Sequence, residues 1–189
     1  MKVIAIIPAR GGSKRLPRKN IFPIWGKPLI YWSIKAAKES KYITDVWVST
    51  EDDEIARIAI KNGAKVHRRD AKLSKDHVYK MEAIRDTISY LEDNELEANV
   101  YISLQANSPE ITSGILDDSI EVFLENDRNE LISVGPDLMQ NAAFRILKRG
   151  YAHHKDLSTK CGVYMCNIHD VHTLEDVKFI EERNADFTR

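Results

Sequence analysis

Two kinds of hydrophobic pattern alternate along the 189 residues of the chain. Short, almost continuous apolar runs rich in β-branched residues are typical of strands buried on both faces of a parallel sheet. Such runs predict strands at 3–7, 46–50, 65–67, 100–104, 131–134, 144–147 and 162–168. Between them, apolar residues that recur every three or four positions predict helices at 28–37, 52–63, 79–91, 112–124 and 173–182.

Residues at the helix boundaries support these limits. Pro28 suits the first position of a helix, where no backbone N–H is needed, and Thr173 is expected to cap the last helix. Either Asp52 or Asp53 can cap the second helix. The faces expected to be buried include Ile55, Ile58 and Ala59 in the second helix and Ile115, Ile120 and Phe123 in the fourth.

Strands that alternate with helices imply right-handed βαβ units and a mostly parallel, twisted sheet. We therefore predict a Rossmann-like, three-layer α/β/α sandwich that forms a single domain over residues 1–189. In open sheets of this kind, ligands bind beyond the carboxyl ends of the strands. The loop after the first strand is accordingly the first candidate for a functional site.

Composition narrows the class of protein. Hydrophobic residues make up 43% of the chain and charged residues 30%, with a formal net charge of −1, which gives no reason to expect a general nucleic-acid or membrane surface. No stretch approaches the roughly 20 apolar residues that span a bilayer, and the N-terminal segment lacks the features of a signal peptide. Two cysteines provide no disulfide framework. We expect a cytoplasmic protein.

The first candidate loop has an unusual charge pattern. It reads Pro8-Ala9-Arg10-Gly11-Gly12-Ser13-Lys14-Arg15-Leu16-Pro17-Arg18-Lys19-Asn20, with five cationic side chains and no acidic one. Like charges packed into one loop cost free energy unless an anion neutralises them. The Gly-Gly-Ser core offers backbone N–H groups without side-chain obstruction, as close approach to phosphate oxygens requires. A triphosphate is the expected ligand.

This loop matches neither of the two common phosphate-binding motifs. The Walker pattern G-x-x-x-x-G-K-[ST] and the dinucleotide pattern G-x-G-x-x-G are both absent. A Lys/Arg cluster is more often a solvated surface loop. The position directly after a buried strand and the Gly-Gly-Ser core favour the phosphate site.

Several segments of the chain resemble the acylneuraminate cytidylyltransferases, the CMP-sialic acid synthetase family. The opening run from Ile6 to Lys14, followed by Lys19-Asn20, is similar to the family's N-terminal signature. The resemblance covers residues 2–135 and becomes patchy afterwards. It also includes Gly26-Lys27-Pro28-Leu29-Ile30, Val48-Ser49-Thr50, the R-x-x-x-L segment from Arg69 to Leu73, and Leu104-Gln105-Ala106-Asn107-Ser108-Pro109.

The resemblance implies a fold of the nucleotide-diphospho-sugar transferase type and a reaction. A sugar hydroxyl would attack the α-phosphorus of CTP, release pyrophosphate and form a CMP-sugar, with positioning and charge neutralisation supplying most of the catalysis. The carried-over catalytic residues are Arg10, Lys14, Lys19 and Asp170. The carried-over nucleotide-binding residues are Ala9, Arg10, Gly11, Gly12, Ser13, Lys19, Asn20 and Arg69. Gln105 would contact an acidic sugar, and the family implies a homodimer.

The metal-binding pattern of the family is incomplete in this chain. The family's D-x-D pair, whose carboxylates hold Mg2+, corresponds here to Asp170-Val171-His172. On an extended segment Asp170 and His172 would lie on the same side. Mg2+ prefers oxygen ligands, so Asp170 is the expected ligand. For His172 two interpretations stay open, a second metal ligand or a part of the helix cap.

The segment expected to face the sugar departs further. Where the family has R-R-Q-D-L followed by E-N-G, with a longer excursion between, this chain has His153-His154-Lys155-Asp156-Leu157 and Lys160-Cys161-Gly162. Histidines thus replace arginines that would bind a sugar carboxylate. The remaining cations, for which solvated surface charges are the simpler interpretation, are Arg145, Lys148, Arg149 and Lys155. The sugar is left open between sialic acid, another nonulosonic acid of the legionaminic or pseudaminic type, and a different sugar.

A second cluster could suggest zinc. Cys161, Cys166, His169 and His172 are spaced C-x4-C-x2-H-x2-H, which does not match the usual zinc-finger pattern. Buried, unligated cysteines are expected instead.

Two alternative functions remain at this stage. A nucleotidyltransferase that uses another base or sugar, such as a guanylyltransferase, would have the same fold and loop. A nucleotide-binding protein without transferase activity would explain the missing arginines and His172.

Overall fold

The structure is a computed structural model that describes residues 1–185. Its strands are β1 (Val3–Pro8), β2 (Pro23–Ile24), β3 (Lys27–Pro28), β4 (Asp45–Thr50), β5 (Lys65–Arg68), β6 (Val100–Leu104), β7 (Glu130–Val134), β8 (Gln140–Lys148) and β9 (Cys161–Met165). Its α-helices are α1 (Leu29–Glu39), α2 (Asp53–Lys61), α3 (Lys80–Asp93), α4 (Ser113–Glu125) and α5 (Leu174–Arg183). Within the described residues, no helix is long and apolar enough to cross a membrane.

Seven strands form one sheet in the order β5-β4-β1-β6-β8-β7-β9. Strands β5, β4, β1 and β6 pair in parallel, β8 runs antiparallel to both β6 and β7, and β7 pairs in parallel with β9. Only β8 therefore opposes the common direction of the described sheet. The prediction of a mostly parallel sheet is confirmed. Strands β2 and β3 form a small separate hairpin, which the hydrophobic pattern did not predict.

Helices cover both faces of the sheet because the central strands are apolar on both sides. In β1, Val3, Ala5 and Ile7 belong to the core beneath α1, α2 and α4, whereas Ile4 and Ile6 belong to the core beneath α3. All five side chains are fully buried. This two-sided burial confirms the three-layer sandwich and fixes the point at which the loop after β1 leaves the sheet.

Most predicted elements are present, with shifted limits. The strand predicted to reach 168 ends at Met165, because its partner β7 ends at Val134. The chain then crosses the sheet edge, where the Val171 N–H donates to the Asn107 carbonyl at 2.8 Å. Pro28 ends β3 and precedes α1 instead of being its first residue.

Smaller differences concern burial. Asp52 is the cap of α2, and Thr173 caps α5 as predicted. Ile58 and Ile115 are only partly buried, while Ala56 and Leu116 take the fully covered positions. Both cysteines are free, Cys166 buried and Cys161 only partly so, which makes the expectation of two buried cysteines wrong for Cys161.

Strands β7 and β8 are joined by a buried ion pair. The Glu130 carboxylate is fully buried and accepts from the Arg145 guanidinium, with Nε of Arg145 at 2.9 Å from Oε2. Its other oxygen accepts the backbone N–H of Ser158. The interpretation of Arg145 as a solvated surface charge is therefore wrong, and its charge is committed to Glu130.

We expect Arg145→Met to destabilise the protein by about 3–5 kcal/mol, because it leaves the Glu130 carboxylate buried without a counter-charge. The matched control is Lys148→Met on the same strand. Lys148 pairs with Asp127 at 2.9 Å, with both side chains more than half exposed, so the control should cost less than about 1 kcal/mol. Urea unfolding measures both changes, and equal costs would contradict the structural role of the pair.

Candidate functional site

A cavity of about 440 Å³ opens beyond the carboxyl ends of β1 and β6, where the sequence predicted a site. The loop after β1, the segment between β5 and α3, and residues after β6 form its wall. Among the described residues that line it there is one carboxylate, Asp76, against seven cationic side chains: Arg10, Lys14, Arg15, Lys19, Arg69, Lys75 and Lys80. A concave site with this excess of positive charge favours a polyanionic ligand.

The predicted loop residues divide into two groups. The cavity wall includes Arg10, Gly12, Ser13, Lys14, Lys19 and Asn20. Ala9 and Gly11 are not part of the wall. Ala9 is fully buried and its N–H donates to the Ser49 carbonyl at 2.9 Å, which anchors the start of the loop to β4. The Gly11 N–H donates to Glu51 Oε1 at 2.8 Å, and a Cβ at Gly11 would collide with Asp52. These two residues shape the loop, and their contact with the nucleotide stays a prediction.

A carboxylate of the protein itself neutralises part of the charge of the loop. Asp76 accepts ion pairs from Arg10 at 2.7 Å and Lys14 at 2.5 Å. Hydrogen bonds from Lys14 and Arg10 lower the pKa of Asp76. The Asp76 side chain is about half exposed (49%), so these pairs contribute little stability and a stronger anion can displace them.

Arg18 faces away from the cavity. Its guanidinium donates to Asp52 Oδ2 at 2.6 Å and to Glu54 Oε2 at 2.6 Å, at the start of α2. The hydrogen bond from Arg18 is the main cause that lowers the pKa of Asp52. Arg18 therefore belongs to the support of the loop, although its sequence position suggested a place among the binding cations.

Glu51, directly after β4, connects the loop after β1 to the segment after β5. It accepts the Gly11 N–H, the Ser74 hydroxyl, and Arg69 NH2 at 3.2 Å. Arg69 is buried and also donates to Ser74 Oγ at 3.0 Å, while Arg10 NH1 donates to the Ser74 carbonyl at 3.1 Å. The sequence prediction missed Glu51. Its position at the end of the strand beside β1 was the available signal, because parallel neighbours end at the same edge of a sheet.

Lys19 and Asn20 lie deeper in the wall than the other loop residues. Burial lowers the pKa of Lys19, and the nearby Asp170 carboxylate opposes that change. Asn20 is buried and its Nδ2 donates to the Arg10 carbonyl at 2.9 Å. Asn20 thus fixes the curvature of the loop as well as lining the cavity.

Asp170 lies behind the wall. It accepts the Ser108 hydroxyl and, at 3.3 Å, Nε2 of Gln105, which does line the cavity. Burial raises the pKa of Asp170, while the Ser108 hydrogen bond and the charges of Lys80 and Lys19 oppose this. Gln105 and Asp170 are therefore brought together, as the two predicted roles require, and Ser108 is a contact that the sequence did not predict.

His172 belongs to the cap of α5 through its backbone and to the cavity wall through its ring. Its backbone N–H donates to Asp176 Oδ2 at 2.8 Å, within the cap of α5, and its ring lines the cavity. Ring Nδ1 lies 3.2 Å from Arg15 NH2. A guanidinium only donates, so Nδ1 accepts and Nε2 carries the proton of the neutral ring. Burial lowers the pKa of His172 and favours that neutral form. A metal at Nδ1 of His172 would therefore have to displace the Arg15 contact.

The segment expected to face the sugar lies elsewhere. His153 pairs with Glu92 at 2.8 Å near the end of α3, and His154 stacks on Tyr151. The Arg149 N–H donates to the Asn99 carbonyl just before β6, which puts this segment at the sheet edge opposite the cavity. The histidines therefore do not replace ligand-binding arginines within this cavity. None of the cations that the sequence left as sugar partners, Arg145, Lys148, Arg149 and Lys155, lines the described cavity.

The sheet order and the cationic cavity beyond the carboxyl ends of its strands define a Rossmann-like α/β fold with a site suited to a polyanion. Residues 4–183 match the profile of the family described as Cytidylyltransferase. The chain belongs to this cytidylyltransferase family, which confirms the resemblance seen in its motifs.

Individual relatives agree with this membership. The chain is 39% identical over 134 residues to the pseudaminic acid cytidylyltransferase of Campylobacter jejuni subsp. jejuni serotype O:23/36 (strain 81-176), a match that covers 70% of this chain and 58% of that protein. It is 34% identical over 155 residues to the N-acylneuraminate cytidylyltransferase of Streptococcus agalactiae serotype III (strain NEM316), covering 80% of this chain and 37% of that protein. The match thus spans less than two thirds of either relative.

A solved structure agrees in fold. The CMP:2-keto-3-deoxy-manno-octonic acid synthetase complexed with CTP matches with a TM-score of 0.79 at 16% identity. The match covers 99% of this chain and 100% of that chain. At this identity the likeness concerns the fold alone.

The contacts of Glu51 should make the stability of the protein depend on pH. Burial alone would raise the pKa of Glu51, but the bonds from Ser74 and Gly11 and the charge of Arg69 lower it below its usual 4.5. The ionised form thus stabilises the fold above about pH 4.5, and this contribution is lost as the pH falls through the lowered pKa. Glu51→Gln should cost about 1–3 kcal/mol at pH 7 and progressively less below about pH 4.5.

Urea unfolding at several pH values measures this difference. Glu54→Gln is the matched control, because Glu54 is about half exposed (52%) and pairs only with Arg18 among the described residues. The control should change stability by less than about 1 kcal/mol. A cost at Glu51 that does not vary with pH would argue against an ionised Glu51 in the folded protein.

Proposed function

We propose that this protein transfers CMP from CTP to an acidic, sialic-type nonulosonic sugar with release of pyrophosphate. The observation that carries the proposal is the cationic cavity beyond β1 and β6 in a chain of the cytidylyltransferase family. The named relatives act on pseudaminic acid and N-acylneuraminate. Their substrates make an acidic nine-carbon sugar the first class to test.

The triphosphate is assigned to the loop after β1. Arg10, Lys14 and Lys19 would neutralise its phosphates, and the unobstructed backbone at Gly12 with the Ser13 hydroxyl would donate to their oxygens. Binding would exchange the exposed pairs with Asp76 for stronger contacts to phosphate. Asn20 and the buried Arg69, both in the same wall, are assigned to the nucleotide.

A divalent cation, Mg2+, is assigned to Asp170. The described residues contain no group of three or more His, Cys, Asp or Glu side chains set to hold a metal. One carboxylate together with substrate phosphates is nevertheless a common way to bind Mg2+. Asp170 fits this role because it is a partly buried carboxylate beside Gln105, whereas a metal at Nδ1 of His172 would have to displace Arg15. The ion would add positive charge to the phosphates when bound.

Gln105 is assigned to the sugar, since it lines the cavity and contacts Asp170. A homodimer, a cytoplasmic location and a single domain over the whole chain stay predictions. Val163 and Met165 support the dimer, because both side chains are more than half exposed on the edge strand β9. The 153–157 segment lies away from the cavity, so it does not identify the sugar.

We expect Arg10→Ala and Lys19→Ala each to weaken CTP binding about 10- to 100-fold, because each removes a charge-assisted contact to phosphate. Arg18→Ala is the matched control from the same loop, since Arg18 faces Asp52 and Glu54 outside the cavity. It should change CTP affinity less than about threefold. Isothermal titration with CTP measures all three, and unchanged affinity in both cavity variants would remove the loop from the proposal.

Pyrophosphate release from CTP with Mg2+ and a panel of nine-carbon acidic sugars tests the whole proposal. We expect release with N-acetylneuraminic acid or pseudaminic acid and none without sugar. A thermal-shift panel of nucleoside triphosphates should show that CTP stabilises most. Preference for GTP would favour the guanylyltransferase alternative. CTP binding without release for any sugar would favour a nucleotide-binding protein that lacks transferase activity.

A further inference from the structure

Lys80, the first residue of α3, is a cavity cation that no sequence motif predicted. It is partly buried, and it forms no ion pair within 4.0 Å with any described residue. The contact recorded for its ammonium group is with the Ala142 carbonyl at 3.5 Å, at the outer limit of a hydrogen bond. Lys80 therefore lacks the close counter-charge that Arg69 and Arg145 have.

The position of Lys80 is electrostatically unfavourable in the free protein. A positive charge at a helix N-terminus opposes the helix dipole. Burial lowers the pKa of Lys80 to about 8, and the charge of Asp170 offsets this only in part. A lysine in such a place destabilises the fold unless a ligand supplies negative charge. If Lys80 only packed against the cavity wall, its contact with the Ala142 carbonyl would be too long to offset this cost.

Lys80 lies on the Gln105 side of the cavity. Its contact, Ala142, is next to Ala143, whose carbonyl accepts the Gln105 N–H at 2.9 Å. The charges that act on Lys80 are those of Asp170 and Arg145, whereas Lys19 responds to Asp170 and to the loop arginines. Lys80 and Lys19 thus share the charge of Asp170, but the other cations that act on them differ, Arg145 for Lys80 and the loop arginines for Lys19.

The other cations considered for the sugar are paired elsewhere or lie away from the cavity. Arg145 is bound to the buried Glu130, and Arg149 and the 153–157 segment lie at the opposite sheet edge. An acidic sugar held by Gln105 would present its carboxylate to a wall that contains Lys80, a partly buried cation with no ion pair to any described residue. A lysine binds a carboxylate as a compact point charge, without the paired geometry of arginine.

We infer that Lys80 binds the carboxylate of the acidic sugar substrate. The inference rests on the proposed function and adds a residue that determines specificity for acids over neutral sugars. It assigns Lys80 to the sugar and the loop after β1 to the nucleotide, so the two sets of variants should affect different substrates.

Steady-state kinetics with N-acetylneuraminic acid and with pseudaminic acid test the inference. Lys80→Met should raise KM for the sugar about 10- to 100-fold and change CTP affinity less than threefold. Lys80→Arg, which keeps the charge, should restore part of the loss. Lys75→Met is the matched control, since Lys75 lines the same cavity but is exposed, and it should leave the sugar KM within about threefold of wild type.

A second measurement needs no variant. The wild-type protein should use each acid at least tenfold better, in kcat/KM, than its carboxamide, and Lys80→Met should lose this preference. Equal use of acid and carboxamide by the wild type would overturn the inference even if Lys80→Met did not fold. Loss of CTP affinity in Lys80→Met as large as in Arg10→Ala would also overturn it, because Lys80 would then be a phosphate ligand.

The two proposals can fail separately. Activity with an unchanged sugar KM in Lys80→Met would leave the transferase in place and refute the role of Lys80. If no sugar supports pyrophosphate release, titration of N-acetylneuraminic acid into the CTP-loaded protein becomes the readout. Binding that Lys80→Met weakens would then support the inference although the transferase proposal had failed, and absence of binding to the wild type would refute both.

Discussion

Repulsion between like charges at the carboxyl edge of the sheet is the constraint on which the rest of the structure depends. Seven cationic side chains line one cavity of about 440 Å³. The fold tolerates them because acidic residues on neighbouring elements hold the surrounding backbone. Glu51 binds the Gly11 N–H and Arg69, and Asp52 binds Arg18. These carboxylates lie behind or beside the wall, so they stabilise the loop and leave an excess of positive charge at the cavity.

The burial of β1 on both faces makes this arrangement precise. Five fully buried side chains hold β1 in place, and this fixes the point at which the following loop leaves the sheet. Leu16, inside the loop, is buried against Val171 and Val177 at the start of α5. The same helix start holds the backbone of His172 through Asp176. Packing at both ends therefore orients the cations before any ligand arrives, which reduces the entropy that binding would cost.

The sequence was sufficient for the features that depend on local pattern. Continuous apolar runs predicted the parallel strands, and the cationic loop between β1 and α1 predicted the place of the cavity. The sequence was insufficient for side chains whose position depends on contacts with residues far away in the chain. No local signal distinguishes Arg18, which faces Asp52, from Lys19, which lines the cavity, although they are adjacent. Arg145 looked like a surface charge because its partner Glu130 precedes it by fifteen residues on another strand.

The histidine segment at 153–157 illustrates the same difficulty. Matching it to a family pattern suggested a sugar site, but the antiparallel strand β8 carries the chain away from the carboxyl edge and releases it at the opposite side. The direction of one strand therefore decided which cations could meet the ligand. That direction is a property of the whole sheet, and hydrophobic periodicity does not encode it.

Asp170 interacts electrostatically with both Lys19 and Lys80, which explains why a carboxylate can serve a site built for anions. Each lysine is partly desolvated, and the charge of Asp170 offsets part of that cost for both. Burial in turn disfavours the ionised carboxylate, and the two lysines favour it. The three groups are therefore mutually dependent. An ionised Asp170 would repel both a phosphate bound near Lys19 and a sugar carboxylate bound near Lys80. If Asp170 held a divalent ion, the added positive charge would offset that repulsion.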